Sequence, residues 1–185
     1  MPPRGTIETI YGMIVAQARE PRFYRDLAVP DTVNGRFDLL LLHLWMVLRR
    51  LRAAAGGAEL CQALFDHFCD DMDDNLREMG VGDLTVPKRM QAFGEAFYGR
   101  SAAYDQAFDK TLDSASDAAA EPLAQALCKN ILNGEGLDQA RQLARYAEAV
   151  IATLAALDDE ALTDASWQFP MPAAWSAGHV PGKQT

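Results

Sequence analysis

Apolar residues recur along this chain every three or four positions, which is the spacing of one face of an α-helix. The clearest example runs from Leu60 to Met79, where a helical wheel gathers the apolar side chains in one broad arc. These are Leu64, Phe65, Phe68, Met72, Leu76 and Met79. The opposite side of the same helix carries Asp66, Asp70, Asp73 and Arg77. The pattern predicts an amphipathic helix with one buried face and one acidic, exposed face.

A turn and a second amphipathic helix follow. Gly80 and Gly82 favour the left-handed conformation that ends a helix, and Asp83 or Thr85 can accept hydrogen bonds from the first amides of the next one. Pro87 suits the opening turn of that helix. Its apolar face is Met90, Phe93, Phe97, Tyr104 and Phe108. This stripe is most simply core, although periodicity alone does not distinguish a core from a groove for an apolar guest.

Two charged positions lie next to these apolar faces. Asp71 lies at the edge of the apolar arc of the first helix, and Arg100 lies beside the aromatic stripe of the second. A buried polar group without a partner costs roughly 1 to 3 kcal/mol, and guanidinium tolerates partial burial better than ammonium. We therefore expect an ion pair between Asp71 and Arg100 that joins the two helices.

The same spacing predicts four further helices and a short helical turn at Arg22–Leu27. The four helices are Thr6–Arg19, Phe37–Leu51, Glu121–Asn130 and Leu137–Leu157. Phe37–Leu51 is the most apolar segment, and it is shorter than the roughly 20 apolar residues that span a bilayer. We expect it to be the central core helix, preceded by a structured turn at Pro30, Asp31 and Asn34-Gly35.

The expected fold class is all-α, a single-domain bundle of about seven helices. The small polar stretch Asp113–Ala120 predicts a loop or a frayed helix end. Residues 166–185 contain three prolines and predict an irregular C-terminal tail, which Trp167, Phe169 and Trp175 can dock to the body. We therefore divide the chain into a helical domain, residues 1–165, and a tail, residues 166–185.

Charge and cysteine content narrow the possible partners. A net charge of −9 over 185 residues argues against nucleic acid, because phosphate binding needs a basic patch. Of the three cysteines, Cys61 and Cys69 lie about 12 Å apart along one helix and cannot pair. The first residues contain no uninterrupted apolar segment typical of a signal peptide. A reducing cytoplasm fits these features best.

Asp70-Asp71-Met72-Asp73-Asp74 fits D-D-x-x-D, the pattern that binds magnesium and diphosphate in isoprenoid-diphosphate enzymes. Carboxylates one turn apart can share a hard cation. Asp70 and Asp71 point in different directions on the helical wheel, however, and the sequence has no second motif of this kind. A solvated acidic face is the better interpretation, and we assign no metal site.

The histidines and serines give little support for a cofactor or for catalysis. His43, His67 and His179 could each bind a metal or haem, but a lone histidine on an apolar helix is more often a hydrogen-bonded core residue. No serine lies in a nucleophile elbow. We expect no enzyme activity and no cofactor.

Three segments together resemble the ubiquinol-cytochrome c chaperone family, the assembly factors of the cytochrome bc1 complex. They are FYRDLAVPDTVNGRFDLLLLHLWMVLRRL, LFDHFCDDMDDNLREMGVGDLTVPKRM and AFYGRSAAYDQAF, between Phe23 and Phe108. The resemblance implies an all-helical, non-enzymatic protein that binds newly made apo-cytochrome b, with a small partner subunit or the ribosome as further contacts. The chain shows no import segment, so we expect a bacterial member, cytoplasmic or peripheral at the inner membrane.

The resemblance does not assign a binding surface, and physical reasoning suggests one. Cytoplasmic loops of membrane proteins are enriched in Lys and Arg, and an acidic helix face complements them. We expect charge contacts from Asp66, Asp70, Asp73 and Asp74. We expect shape contacts from the two connections that contain Pro30, Arg36, Gly82 and Asp83, with an apolar groove shielding a hydrophobic segment. The alternative is a bundle that binds or transforms an apolar or diphosphate ligand such as a quinone, lipid, haem or isoprenoid.

Overall fold

The computed structural model describes residues 2–113 and 121–172, and within these ranges every regular element is a helix. The helices are α1 (Arg4–Ala18), α2 (Pro21–Arg25), α3 (Val33–Ala53), α4 (Gly57–Glu78), α5 (Val86–Asp113), α6 (Glu121–Ile131), α7 (Leu137–Ala155) and α8 (Asp159–Thr163). Six of them are long, and α2 and α8 have five residues each. The expected all-α bundle is confirmed. Most of the predicted loop after Asp113 lies outside the described residues.

Helix α3 forms the centre of the bundle. It packs against α1, α4, α5, α6 and α7, and every residue from Asp38 to Leu48 is buried. A helix that is apolar on all sides is stable only when other helices surround it. The prediction of a central core helix is therefore confirmed, because the neighbours of α3 cover its whole circumference.

The start of α3 differs from the predicted turn. The helix begins at Val33, so Asn34 and Gly35 belong to its first turn, and the Thr32 side chain accepts a hydrogen bond from the Gly35 amide at 3.1 Å. Gly35 is buried, and a Cβ atom there would lie 1.9 Å from the Pro30 carbonyl oxygen. The glycine serves close packing of the backbone against the preceding connection, and no turn at 34–35 is needed.

The aromatic stripe of α5 is mainly core. Phe97, Tyr104 and Phe108 are buried, and Phe93 is half-buried. The Trp45 and Tyr104 rings meet edge to face with their centroids 5.3 Å apart. Aromatic pairs in this geometry add stability beyond the area they bury. The stripe therefore joins α5 to α3 and α4 through Phe97, Tyr104 and Phe108, while Phe93 near its start stays partly open.

The segment that follows α8 packs against the bundle. Trp167 is buried and its indole N–H donates to the Leu162 carbonyl at 3.3 Å. Gln17 donates to the Pro170 carbonyl at 3.1 Å, and Arg22 donates to the Pro172 carbonyl at 3.0 Å. The expected docking by Trp167 and Phe169 is confirmed, whereas Trp175 and His179 lie outside the described residues. The division of the chain at residue 165 stays a prediction.

Candidate interaction surface

The outer face of α4 carries the four aspartates expected to contact a partner. Asp66, Asp70 and Asp74 are exposed and Asp73 is half-buried. Asp66 accepts a hydrogen bond from Gln62 at 2.7 Å, and Asp73 pairs with Arg77 at 2.6 Å. Within the described ranges, Asp70 and Asp74 form no salt bridge. We call Asp66, Asp70, Asp73 and Asp74 the acidic face.

The thiol of Cys69 shows the electrostatic effect of the acidic face. Partial burial raises the pKa of this thiol, and the negative charges of Asp66 and Asp70 raise it further. A thiolate next to carboxylates is disfavoured because like charges repel. The acidic face is therefore a region of negative potential that would attract cationic side chains.

A groove opens on the inner side of α4, where α1, α3, α4 and α5 diverge. It has a volume of about 370 Å³. Its apolar lining consists of Val15, Ala18, Val33, Phe37, Leu40, Met72, Leu76, Met79 and Phe93. Two of these side chains remain well exposed, Val33 at 71% and Met79 at 67%. We call this feature the α1/α4 groove.

The two connections that we expect to make shape contacts differ in their relation to this groove. Arg36 lines it directly, together with Met79 and Arg89. Pro30 is half-buried, because it packs against Gly35. Gly82 and Asp83 are exposed between α4 and α5, and Asp83 pairs with Arg77. The structure therefore brings Arg36 into the groove lining, and Asp83 into an ion pair at the end of α4.

The rim of the groove carries three arginines that sequence reasoning did not identify as a group. Arg19 follows α1, Arg36 lies in the first turn of α3, and Arg89 lies near the start of α5. Arg36 pairs with the exposed Asp31 at 2.9 Å. Arg19 and Arg89 form no salt bridge with any residue that the structure describes. Asp71 is the one acidic residue among the described residues of the lining.

The expected pair between Asp71 and Arg100 is wrong. Arg100 pairs with Asp38 on α3, and Asp71 accepts a hydrogen bond from the Tyr11 hydroxyl at 2.7 Å. Burial raises the pKa of the Asp38 carboxyl, with Arg100 acting in the opposite direction. Each partner lies on a different helix from the one expected, because α5 turns Arg100 towards α3 and α4 turns Asp71 towards α1.

His43 is a core residue and is not available as a ligand. It is fully buried, with Nδ1 2.7 Å from the Leu39 carbonyl oxygen and Nε2 2.8 Å from the Tyr146 hydroxyl. Since a helix carbonyl only accepts, Nδ1 carries the proton and Nε2 accepts from Tyr146. Burial lowers the pKa of His43 to about 4.

No cluster of metal-binding side chains is present in the described ranges. His67 packs against the Tyr11 ring with their centroids 4.9 Å apart. Of the D-D-x-x-D residues, Asp70 and Asp74 face outwards whereas Asp71 turns to Tyr11. Nor does any helix in the described part of the chain combine the length and apolarity needed to cross a membrane.

Comparison with known proteins decides the family. The model of the ubiquinol-cytochrome C chaperone family matches residues 25–169. This chain belongs to the ubiquinol-cytochrome c chaperone family. The match contains the whole acidic face and extends well beyond the segments that carried the resemblance in the sequence, to the buried Trp167 and to Phe169.

Several proteins of known name or known structure resemble this chain in sequence or in fold. Ubiquinol-cytochrome-c reductase complex assembly factor 1 of Xenopus laevis is 28% identical over 157 residues, which cover 83% of this chain and 74% of that protein. The Mus musculus protein of the same name is 29% identical over 98 residues, only 33% of its length. The crystal structure of the Cbp3 homolog from Brucella abortus is 36% identical, covers 90% of both chains and superposes with a TM-score of 0.78.

Proposed function

We propose that this protein is an assembly chaperone of the cytochrome bc1 complex, the ubiquinol-cytochrome c reductase, and that it binds newly synthesised cytochrome b. Membership of the ubiquinol-cytochrome c chaperone family carries the proposal. The names of the similar proteins, assembly factors of this reductase complex, support it. The chaperone acts by binding and makes or breaks no covalent bond.

The acidic face is the proposed contact for the cationic loops of the client. Cytoplasmic loops of a membrane protein carry excess Lys and Arg, and Asp70 and Asp74 are free of internal ion pairs within the described structure. Exposed charges chiefly accelerate and orient association, since each pair is worth at most about 1 kcal/mol. Pro30, Arg36, Gly82 and Asp83 are proposed to add shape to the same end of the molecule.

Two double variants test this surface. Asp70→Lys with Asp74→Lys neutralises the acidic face, because two lysines then offset the two aspartates that remain. It leaves both residues of the Asp73–Arg77 pair in place. Glu135→Lys with Asp164→Lys makes the same change of charge at exposed positions away from α4. Each variant, tagged, replaces the wild-type gene in a deletion strain, and the assembled bc1 complex and the co-purified cytochrome b are quantified.

We expect the deletion strain to lose most of its assembled bc1 complex, and the control variant to restore it. The acidic-face variant should retain its melting temperature but co-purify at least about fivefold less cytochrome b, because the charge contacts at the two substituted positions become repulsive. Normal bc1 assembly in the deletion strain would refute the chaperone function. Equal co-purification by the two double variants would refute only the acidic face as the contact.

A further inference from the structure

The α1/α4 groove is an apolar surface that the protein leaves uncovered. Val33 and Met79 are mostly exposed at its edge, and Leu76 and Phe93 lie deeper in its walls. An apolar concavity of about 370 Å³ is within the size range of protein binding sites. Exposed apolar side chains gathered in one concavity, and not scattered singly over the surface, are typical of binding sites.

The charge around the groove is opposite to the charge of the whole molecule. The chain has a net charge of −9, yet Arg19, Arg36 and Arg89 line the groove and Asp71 is turned towards Tyr11. The Arg36 pair with Asp31 leaves both side chains 60% exposed, so it is weak and exchangeable. The rim therefore offers guanidinium groups to carboxylates of a partner.

Two helices, α3 and α5, begin beside the groove and two, α1 and α4, end there, so the helix dipoles largely cancel and the arginine side chains set the local charge. Val33, Asn34 and Arg36 belong to the first turn of α3, and Arg89 lies in the first turn of α5. Amino-terminal ends of helices carry a partial positive charge. Cationic side chains at these positions are unfavourable for the helices themselves, so their placement around one apolar groove is consistent with an anionic partner.

We propose that the α1/α4 groove binds an amphipathic helix of a partner protein whose apolar stripe is flanked by acidic residues. The groove walls take the apolar side chains, and Arg19, Arg36 and Arg89 pair with the flanking carboxylates. A concave groove between four helices suits a helix better than it suits the flat surface of a bilayer. This partner segment differs in charge from the cationic loops proposed for the acidic face.

The test uses two synthetic helical peptides of equal length with the same leucines at i, i+3, i+4 and i+7. One peptide has glutamates beside the leucine stripe and the other has lysines. Binding of each fluorescein-labelled peptide to the full chain is measured by fluorescence anisotropy. Attraction by the net charge of the protein alone would favour the lysine peptide, so a preference for glutamate reports the local charge of the groove.

We expect the glutamate peptide to bind at least about tenfold more tightly than the lysine peptide. Arg36→Glu with Arg89→Glu should reverse this preference, and Val33→Ser with Met79→Ser should weaken the glutamate peptide without reversing it. The control variant, Arg145→Glu with Lys129→Glu, makes a charge change of the same size at exposed positions on α7 and α6. It should leave the preference for the glutamate peptide unchanged. Circular dichroism checks that all variants fold.

Three results would overturn the proposal. The first is tighter binding of the lysine peptide by the variant with Asp70→Lys and Asp74→Lys, whose acidic face no longer attracts that peptide. The second is an unchanged preference in the Arg36 and Arg89 variant. The third is a protein that does not bind the glutamate peptide but co-sediments with phosphatidylglycerol vesicles, provided that co-sedimentation requires these arginines. This result would assign the groove to a lipid surface. None of these results tests whether Asp70 and Asp74 contact cytochrome b, so this proposal and the acidic face can fail separately.

Discussion

At the scale of single residues, a buried polar network joins the middle of the bundle to its C-terminal segment. The Leu39 carbonyl accepts from His43, the His43 ring accepts from Tyr146, and Gln17 donates to the Tyr146 hydroxyl at 2.9 Å. Gln17 also donates to the Pro170 carbonyl. Each of these polar groups forms a hydrogen bond with the next. Removing one of them therefore leaves another buried without a hydrogen-bond partner, which costs about 1 to 3 kcal/mol.

The low pKa of His43 predicts a loss of stability in mild acid. The folded chain holds the pKa near 4, against an ordinary value of 6.5. Below pH 6.5 the unfolded chain binds a proton that the folded chain does not, so the free energy of unfolding falls by up to about 1.4 kcal/mol per pH unit. The fall levels off below about pH 4, after a total of about 3 kcal/mol.

Urea unfolding of the wild type and of His43→Gln between pH 4 and 7.5 measures this effect. The variant is expected to be less stable at pH 7.5, and the difference between the two proteins should shrink as the pH falls. The remaining ionisable groups are the same in both proteins, so their contributions cancel in the difference. A difference that stays constant over the whole range would show that folding does not change the pKa of His43.

Sequence reasoning identified the polar residues that need partners but not the partners themselves. A helical wheel places Asp71 and Arg100 at the edges of their apolar faces, and both do make buried or half-buried contacts. The wheel does not give the rotation of one helix against another. Asp38 therefore went unnoticed inside an apolar run, although it is the residue that neutralises Arg100.

At the scale of elements, the ends of helices carry the sharpest constraints. Gly35 allows the first turn of α3 to lie against Pro30, with a carbonyl oxygen where an alanine Cβ would be. Gly12, in contrast, lies on the exposed side of α1 with nothing within 4 Å of a Cβ atom. The two glycines occupy helices in opposite environments and make a matched pair.

Alanine at these two glycines should have opposite effects on stability. Gly35→Ala forces the Pro30 connection or the start of α3 to move and should cost about 1 to 3 kcal/mol. Gly12→Ala replaces a poor helix former at an open site and should stabilise by about 0.5 to 1 kcal/mol. Thermal unfolding followed by circular dichroism measures both. Equal effects would mean that the close approach at Pro30 does not constrain α3.

Hydrophobic periodicity predicts where the helices lie along the chain better than it predicts the residues at which they begin. The predicted and observed bounds of the helix at Glu121 agree to within one residue at its C-terminal end. The sequence pattern puts the start of α3 at Phe37, four residues late, because Asn34-Gly35 is a common turn sequence and the close backbone contact at Gly35 leaves no local signal. The short helix α8 was missed for a related reason, since five residues are too few to show a period.

At the scale of the whole molecule, the two candidate surfaces lie on opposite sides of α4 and have opposite charge. The acidic face could be predicted, because its aspartates belong to one helix and share one side of the wheel. The rim of the α1/α4 groove could not, because Arg19, Arg36 and Arg89 come from three separate parts of the chain. Only the packing of α1, α3 and α5 brings them together.

The C-terminal segment is predicted to contribute to the stability of the whole bundle. Trp167 is 6% exposed and its ring meets Phe169 edge to face, while Phe169 contacts the His43 ring. Trp167→Ala should therefore cost about 3 to 5 kcal/mol. Gln168→Ala, at the exposed position between them, should change stability by less than about 0.5 kcal/mol.

The free energy of unfolding of both variants is measured by chemical denaturation. Circular dichroism follows the transition, because this signal does not depend on the removed tryptophan. A loss below about 1 kcal/mol for Trp167→Ala would mean that the segment lies on the bundle without supporting it.

The bonds from Gln17 to Pro170 and from Arg22 to Pro172 join positions about 150 residues apart in the chain. A polypeptide is synthesised from its N-terminus, so α1 and the leucine-rich α3 are made long before the residues that close over His43. Until translation reaches Pro172, the nascent protein lacks the contacts of this segment with Gln17, Arg22 and the His43 ring. The bundle can therefore close over His43 only after these last residues have been made, and a chain truncated before Trp167 is expected to be prone to aggregate.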